Sequence, residues 1–188
     1  MNTQARVLVP LAPGFEEIEA VTIVDLLRRA GCEVTTAGLS LGPVRGSHGL
    51  TLFSDEHLES VFDWHQEFDA IVLPGGMPGS DHLRDDPLVV DLVRKFALAG
   101  KLVGAICAAP KVLAKAGLLE GRRATAYPGV LETTGVAGIR IDSAPVVEDG
   151  NLITGRGPGT AMEFALTLVG RLCGEGVRQQ VASGLQSR

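Results

Sequence analysis

Of the three cysteines in the chain, Cys107 has the sequence context of a nucleophile. The segment 104–110 (GAICAAP) predicts a strand that passes into a helix at this cysteine. Small residues on both sides permit a tight turn of the nucleophile-elbow type. At such a turn the sulfur faces a helix N-terminus, whose dipole and free N–H groups favour the thiolate and lower the thiol pKa. We therefore predict that Cys107 is reactive; the alternative is a buried inert cysteine, a frequent role for a free thiol.

A second candidate is Glu19, which lies in an otherwise apolar predicted helix with Phe15 and Ile23 at helical spacing. Burying a carboxylate is costly unless it is protonated or paired. A raised pKa would allow neutral Glu19 to donate a hydrogen bond to a thiolate and later to exchange protons with a substrate. The alternative is a solvated helix residue. We interpret Glu16 and Glu17 as charges that compensate the helix dipole.

Two glycine-rich turns complete the candidate site. Gly75 and Gly76 follow an apolar strand, and glycine lets the backbone approach a ligand closely. With the backbone N–H of Ala108, one of them is expected to form an oxyanion hole beside Cys107; the alternative is an ordinary strand-to-loop turn. The segment 155–160 (GRGPGT) enters a helix but lacks the lysine of a phosphate loop, so we interpret it as a structural turn near the site.

Alternating strands and helices must position these residues. Strands are predicted at Arg6–Leu11, Glu33–Leu39, Leu50–Phe53, Ala70–Leu73, Leu102–Ile106 and Arg123–Tyr127, with a hairpin of Ala144–Val147 and Asn151–Thr154. Helices are predicted over Glu16–Ala30, from Pro87, over Ala108–Ala116 and over Thr160–Cys173. This pattern predicts an α/β fold, a mostly parallel sheet with helices on both faces and a late antiparallel hairpin. Ligands gather at the carboxyl ends of parallel strands. The turns 11–14, 74–76 and 106–108, which follow three of these strands, are therefore expected at one edge of the sheet.

Composition restricts the function further. The 188 residues suit one domain, 1–188, and the net charge of -5 without a basic stripe argues against a nucleic-acid partner. No apolar run reaches the ~20 residues of a membrane-spanning helix, and the N-terminus is typical of a first strand, so we expect a cytoplasmic protein. Three scattered cysteines argue against disulfides, and Cys32 and Cys173 are interpreted as structural. Neither cysteines nor histidines have metal-ligand spacing, so no metal or other cofactor is expected.

Four segments, in this order, resemble the motifs of the DJ-1/PfpI (ThiJ) superfamily, most closely its DJ-1 and bacterial YajL branch: 12–19 (APGFEEIE), 72–76 (VLPGG), 105–110 (AICAAP) and 156–160 (RGPGT). Together they are highly specific and cover nearly the whole chain. The resemblance implies a flavodoxin-like three-layer sandwich, of the class I glutamine amidotransferase-like kind, and a homodimer. It also implies an oxidation-sensitive Cys107 held by a protonated Glu19, with an oxyanion site from the backbone of Gly76 and Ala108.

The resemblance leaves three functions open. Members of this branch are described as glutathione-independent glyoxalases that convert methylglyoxal to lactate, as deglycases and as redox-responsive chaperones. The first hypothesis is a cofactor-free enzyme in which Cys107 attacks a small reactive carbonyl substrate, a 2-oxoaldehyde. The second is a redox sensor or chaperone whose Cys107 oxidises reversibly. The third and weakest is a cysteine peptidase, because Ala108 stands where the protease branch has a histidine.

The sequence departs from the family pattern in two further places. Tyr127 and Pro128 stand where some members carry a histidine, which removes a third catalytic partner and slightly favours the sensor. Tyr127, Arg156 and Pro158 are retained as candidate pocket residues. His48 falls where relatives have an arginine near the dimer interface, and the sequence leaves its role open.

Overall fold

The structure, a computed structural model, describes residues 4–63 and 65–186. A seven-stranded sheet forms the centre of the molecule. The strands of the chain are β1 (Arg6–Leu11), β2 (Glu33–Gly38), β3 (Pro43–Arg45), β4 (Thr51–Phe53), β5 (Glu56–His57), β6 (Ala70–Leu73), β7 (Leu102–Ile106), β8 (Arg123–Ala124), β9 (Arg140–Ile141), β10 (Val146–Asp149) and β11 (Leu152–Gly155). The central sheet has the order β10-β11-β7-β6-β1-β2-β5, and every neighbouring pair is parallel except β10–β11.

Helices cover both faces of this sheet. They are α1 (Glu17–Arg29), α2 (Leu58–Phe62), α3 (Gly79–Asp85), α4 (Pro87–Leu98), α5 (Pro110–Lys115), α6 (Ala161–Cys173) and α7 (Glu175–Gly184). Alternate residues of β1 point to opposite faces: Val7 and Val9 pack in a core with α1, α6 and α7, and Leu8 in a core with α2 to α5. The predicted three-layer α/β sandwich is therefore confirmed.

Local signals explain where individual helices begin. Asp86 caps α4, since its carboxylate accepts hydrogen bonds from the backbone N–H groups of Leu88 and Val89 at 2.9 and 3.1 Å. Pro87 occupies the first turn, where its missing N–H costs nothing. Glu16 caps α1 in the same way, so this helix begins at Glu17, one residue later than predicted.

Several predicted elements differ from the structure. The strand predicted over Leu50–Phe53 is Thr51–Phe53, and it pairs with β3 in a separate two-stranded hairpin. The strand predicted over Arg123–Tyr127 stops at Ala124, because the chain then turns towards the cysteine elbow. The helix expected from Ala108 begins at Pro110.

The C-terminal part of the chain is more regular than its composition indicated. Gly174 has a φ of +90°, which ends α6, and α7 then follows directly. The late hairpin is confirmed with its strands shifted by one to two residues, and β11 pairs with β7 inside the sheet, so that β10 alone is the antiparallel edge. Among the helices of the described residues, none is long and apolar enough to cross a bilayer.

Candidate active site

Three strand-ending turns meet at one edge of the sheet, as the topology predicts. The backbone N–H of Glu16 donates to the carbonyl of Gly75 at 3.0 Å, which joins the turn after β1 to the turn after β6. A Cβ placed on Gly75 would lie 2.6 Å from Glu19 Oε2 and 2.7 Å from Cys107 Cβ. Only a residue without a side chain fits between the carboxyl and the cysteine.

Cys107 lies on a strained elbow directly after β7. Its φ of 63° is a left-handed conformation, which costs a non-glycine residue about 1–2 kcal/mol. Its N–H donates to the carbonyl of Gly155 and its carbonyl accepts from the N–H of Tyr127, both at 2.9 Å. Hydrogen bonds from both sides therefore hold the strained backbone in place, a frequent arrangement at functional sites.

Glu19 projects from the first turn of α1 and is completely buried. Its Oε2 accepts a hydrogen bond from the N–H of Gly75 at 2.7 Å, while the equally buried Oε1 has no hydrogen-bond partner among the described residues. Burial raises the pKa of Glu19 to about 7; the N–H of Gly75 and the adjacent Cys107 thiol oppose this rise in pKa, and the nearby charge of Glu16 adds to it. The carboxyl is thus suited to exchange protons near neutral pH.

The pKa of the Cys107 thiol is raised to about 12, which corrects the expectation that its turn lowers it. Burial is the main cause, and the charge of the Glu19 carboxylate is the second. The N–H groups of Ala108 and Gly76 act in the opposite direction but are outweighed. Because a second negative charge is opposed so strongly, the Glu19–Cys107 pair carries a single negative charge between the two pKa values.

A cleft of about 940 Å³ opens onto this pair, and Cys107, Gly76 and Ala108 line it. Glu19 is not among the lining residues, and its completely buried carboxyl adjoins the same Gly75 position as Cys107 Cβ. Cys107 is therefore accessible from the cleft and adjacent to the proton acceptor.

The three candidate pocket residues have different positions. Tyr127 lines the cleft and is half-exposed, whereas Arg156 lines a separate cavity of about 170 Å³ that also touches Tyr127. Pro158 lies in a short 3₁₀ turn and is not among the residues that line the cleft. The loop 155–160 contributes to the site through the carbonyl of Gly155, a contact that no sequence pattern indicates.

Glu17, interpreted from the sequence as a dipole charge, holds the loop 46–50 against α1. Its carboxylate accepts hydrogen bonds from the N–H groups of His48 and Leu50 at 2.7 and 3.3 Å, and from Ser47 Oγ at 3.2 Å. Hydrogen bonds from His48 and from the backbone outweigh the effect of burial and lower the pKa of Glu17 to about 2. His48, whose role the sequence left open, is thereby placed on the wall of the cleft.

Glu16 is likewise more than a dipole charge. It is buried, caps α1 through a 2.7 Å hydrogen bond from the N–H of Glu19, and lines the cleft. Ligand-type atoms of Glu16, Glu17 and His48 all lie within 4.8 Å of one another. Since both carboxylates already accept backbone hydrogen bonds, the cluster has a structural explanation, and the absence of a metal site stays a prediction.

The model of the DJ-1/PfpI family matches residues 5–171. The chain belongs to this family. Protein dj-1beta of Drosophila melanogaster is 46% identical over 95% of each chain, and a deglycase of Pyrococcus abyssi is 39% identical over 82% of this chain and 91% of its own. Both alignments extend over most of the chain, so the resemblance seen in the four motifs is confirmed.

Solved structures of family members show the same fold. The crystal structure of Drosophila melanogaster DJ-1beta has a TM-score of 0.93 and 44% identity, covering 99% of this chain and 100% of that one. Toxoplasma gondii DJ-1 in an oxidised form has a TM-score of 0.90 and 38% identity, covering 97% and 98%.

Proposed function

We propose that this family member is a cofactor-free enzyme that converts methylglyoxal to lactate without glutathione, with Cys107 as nucleophile. The observation that carries the proposal is the pairing of a strained, cleft-facing cysteine with a fully buried carboxyl whose pKa is about 7. Nucleophilic catalysis needs a base beside the thiol, and in most cysteine enzymes a histidine supplies it. Here the unpartnered Oε1 of Glu19 is an available acceptor.

The first step adds the sulfur to the aldehyde carbon. As the C–S bond forms, the thiol proton of Cys107 passes to the Glu19 carboxylate, and the aldehyde oxygen becomes an alkoxide. The N–H groups of Gly76 and Ala108 would stabilise this negative charge, because both act to lower the pKa of the adjacent Cys107 thiol. Protonation of the alkoxide by Glu19 then gives a neutral thiohemiacetal.

The following steps move hydrogen from C1 to C2. The Glu19 carboxylate removes the C1 proton while the electron pair shifts towards the C2 carbonyl oxygen, which gives an enediolate. The same carboxyl then returns a proton to C2, the C1 oxygen becomes a carbonyl, and the proton of the C1 hydroxyl passes to the C2 oxygen. The product is a thioester of lactate on Cys107. Water adds to its carbonyl carbon, the C–S bond breaks, and lactate leaves with the thiol restored.

Two further features belong to this proposal. The Pyrococcus abyssi relative is named a deglycase, and removal of a dicarbonyl adduct would begin with the same attack by sulfur on a carbonyl carbon. We also propose that the protein acts as a homodimer, with the exposed loop 46–50 near the interface, and that Tyr127 orients the substrate in the cleft.

The test is lactate formation from methylglyoxal in the absence of glutathione. We expect wild-type protein to form lactate, Cys107→Ser to form none above background, and Cys32→Ser to match the wild type as a cysteine control remote from the cleft. Equal turnover by folded Cys107→Ser would refute the nucleophile, and a folded wild type that forms no lactate would refute the reaction.

A second candidate is a redox sensor, and one observation favours it: a structural relative, Toxoplasma gondii DJ-1, has been solved in an oxidised form. Backbone N–H groups of Gly76 and Ala108 beside the sulfur would stabilise an oxyacid of Cys107 in the same way as an alkoxide. Intact-mass measurement during a peroxide titration tests this function. Addition of oxygen to Cys107 at low peroxide by a protein without lactate formation would establish the sensor in place of the enzyme.

A further inference from the structure

Two cysteines that are far apart in sequence meet at the edge of the sheet opposite the cleft. The Sγ atoms of Cys32 and Cys173 are 3.4 Å apart, across a sequence separation of 141 residues, and both thiols are free. Cys32 immediately precedes β2, whereas Cys107 follows β7, so the pair and the active-site cysteine lie at opposite ends of parallel strands.

Both cysteines of the pair lie at the ends of regular elements, where the local backbone fixes their positions. Cys32 follows Gly31, whose φ of +85° ends α1, and its N–H donates to the carbonyl of Leu27 at 3.0 Å. Cys173 is the last residue of α6, directly before the break at Gly174. The pair therefore lies where the C-terminal ends of α1 and α6 pack together.

We propose that Cys32 and Cys173 form a second redox site, a dithiol that hydrogen peroxide or an organic hydroperoxide converts to an intramolecular disulfide. A disulfide bond of about 2.05 Å requires the two sulfur atoms to approach by about 1.4 Å. Both residues are at helix ends rather than within a helix or a central strand, so this movement involves termini and not the ladder of the sheet.

The difference in exposure between the two thiols sets the order of the reaction. Cys32 is 4% exposed, and burial raises its pKa to about 12, with its hydrogen bond to Cys173 as the next cause. Cys173 is only partly buried, so a hydroperoxide reaches it first. Its sulfur attacks one peroxide oxygen, the O–O bond breaks, and the thiol proton passes to the leaving oxygen. A sulfenic acid forms together with water, or with an alcohol where the oxidant is an organic hydroperoxide.

The sulfur of Cys32 then attacks the sulfur of Cys173, the S–O bond breaks, and water leaves with the proton from Cys32. In total the two thiols lose two electrons and two protons, and hydrogen peroxide is reduced to two molecules of water. The new bond links the ends of α1 and α6 and closes a loop of 141 residues, which constrains the unfolded chain.

Wild-type protein is treated with equimolar hydrogen peroxide, denatured in N-ethylmaleimide and weighed intact. We expect a fraction that has lost 2 Da, by loss of two hydrogens, and that no longer alkylates at Cys32 and Cys173. A non-reducing tryptic digest should join peptides 30–45 and 172–178. The same result is expected for Cys107→Ala, because the pair does not depend on the active-site cysteine, and the cross-link should be absent from Cys32→Ala and Cys173→Ala.

Oxidation should also raise the Tm of the wild type by about 5 °C or more, and dithiothreitol should reverse the rise. Neither single-cysteine variant should show this reversible change. Three results would overturn the proposal. Cys173 could be overoxidised while Cys32 still reacts with N-ethylmaleimide, or Cys173 could form a disulfide between two chains. The third result is that both thiols remain unchanged when Cys107 is already oxidised.

Discussion

The N–H of Gly75 donates to Oε2 of Glu19 at 2.7 Å, a bond between two residues 56 positions apart in the chain. It fixes the orientation of a fully buried carboxyl and leaves Oε1 as the oxygen with a free acceptor position. Since Gly75 follows β6 and Cys107 follows the neighbouring β7, the same turn that orients the carboxyl also contacts the cysteine. The position of the base is therefore determined by backbone, not by side-chain packing alone.

Replacing the base should remove most of the activity. Glu19→Gln keeps an oxygen that accepts from Gly75 but has no carboxylate for the thiol proton, so kcat/KM for methylglyoxal should fall about 100-fold or more. Glu163→Gln, an exposed change on α6, is the matched control and should leave kcat/KM unchanged. A Glu19→Gln protein within twofold of the wild type would show that another group accepts the proton.

The pH dependence follows from the ionisation of the Glu19–Cys107 pair. Activity requires the pair to carry one negative charge, whichever of the two groups holds it, and that charge appears as pH rises through about 7. We expect log kcat/KM to rise with pH up to about 7 and then to level off, because the pKa of Cys107 is about 12. In Glu19→Gln the inflection near 7 should disappear. A profile that is flat from pH 5 to 9 in the wild type would contradict this assignment.

The same burial has a cost in stability. The pKa of Glu19 is raised from 4.5 to about 7 on folding, so the folded state binds the proton more tightly than the unfolded state. The contribution of Glu19 to the free energy of unfolding is fully present below pH 4.5. It falls by about 3 kcal/mol as pH rises towards 7. Urea denaturation should therefore show Glu19→Gln gaining stability relative to the wild type between pH 5 and 8. If the difference in free energy of unfolding between Glu19→Gln and the wild type stayed constant from pH 5 to 8, the carboxyl of Glu19 would ionise in the folded protein without a cost in stability.

Gly75 should tolerate no side chain. A Cβ there would lie less than 3 Å from Glu19 Oε2 and Cys107 Cβ, closer than real Cβ atoms come to their neighbours. Gly75→Ala should displace one of these groups and lower kcat/KM by tenfold or more. Gly159→Ala, where a Cβ meets nothing within 4 Å, is the matched control and should retain activity. Equal activities of the two variants would show that the spacing of the pair is not critical.

Most of the fold follows from local patterns in the sequence, because apolar strands, helix caps and terminal glycines act over short distances. The elbow at Cys107 and the raised pKa of Glu19 also follow, the first from small flanking residues and the second from an apolar helix face. The raised pKa of Cys107 could not be predicted from the sequence, because it depends on burial and on the charge of Glu19, which lies 88 positions away. The meeting of Cys32 and Cys173 likewise depends on how α1 packs against α6, which no local pattern records.

The carboxylate of Glu17 should control the order of the loop 46–50. Glu17→Gln weakens the charge-assisted hydrogen bonds to the N–H groups of His48 and Leu50 and should destabilise the protein by about 2 kcal/mol at pH 7. Hydrogen exchange should accelerate at these two amides more than in the central strands.

In the wild type the pKa of Glu17 is lowered to about 2, so this stabilisation is present above pH 4.5 and is lost as pH falls towards 2. The difference in free energy of unfolding between the wild type and Glu17→Gln should shrink over that range. Glu120→Gln, an exposed change, should match the wild type at every pH. Since His48 lies on the wall of the cleft, a disordered loop should also raise KM for methylglyoxal with little change in kcat. Unchanged exchange at both amides in Glu17→Gln would show that other contacts hold the loop.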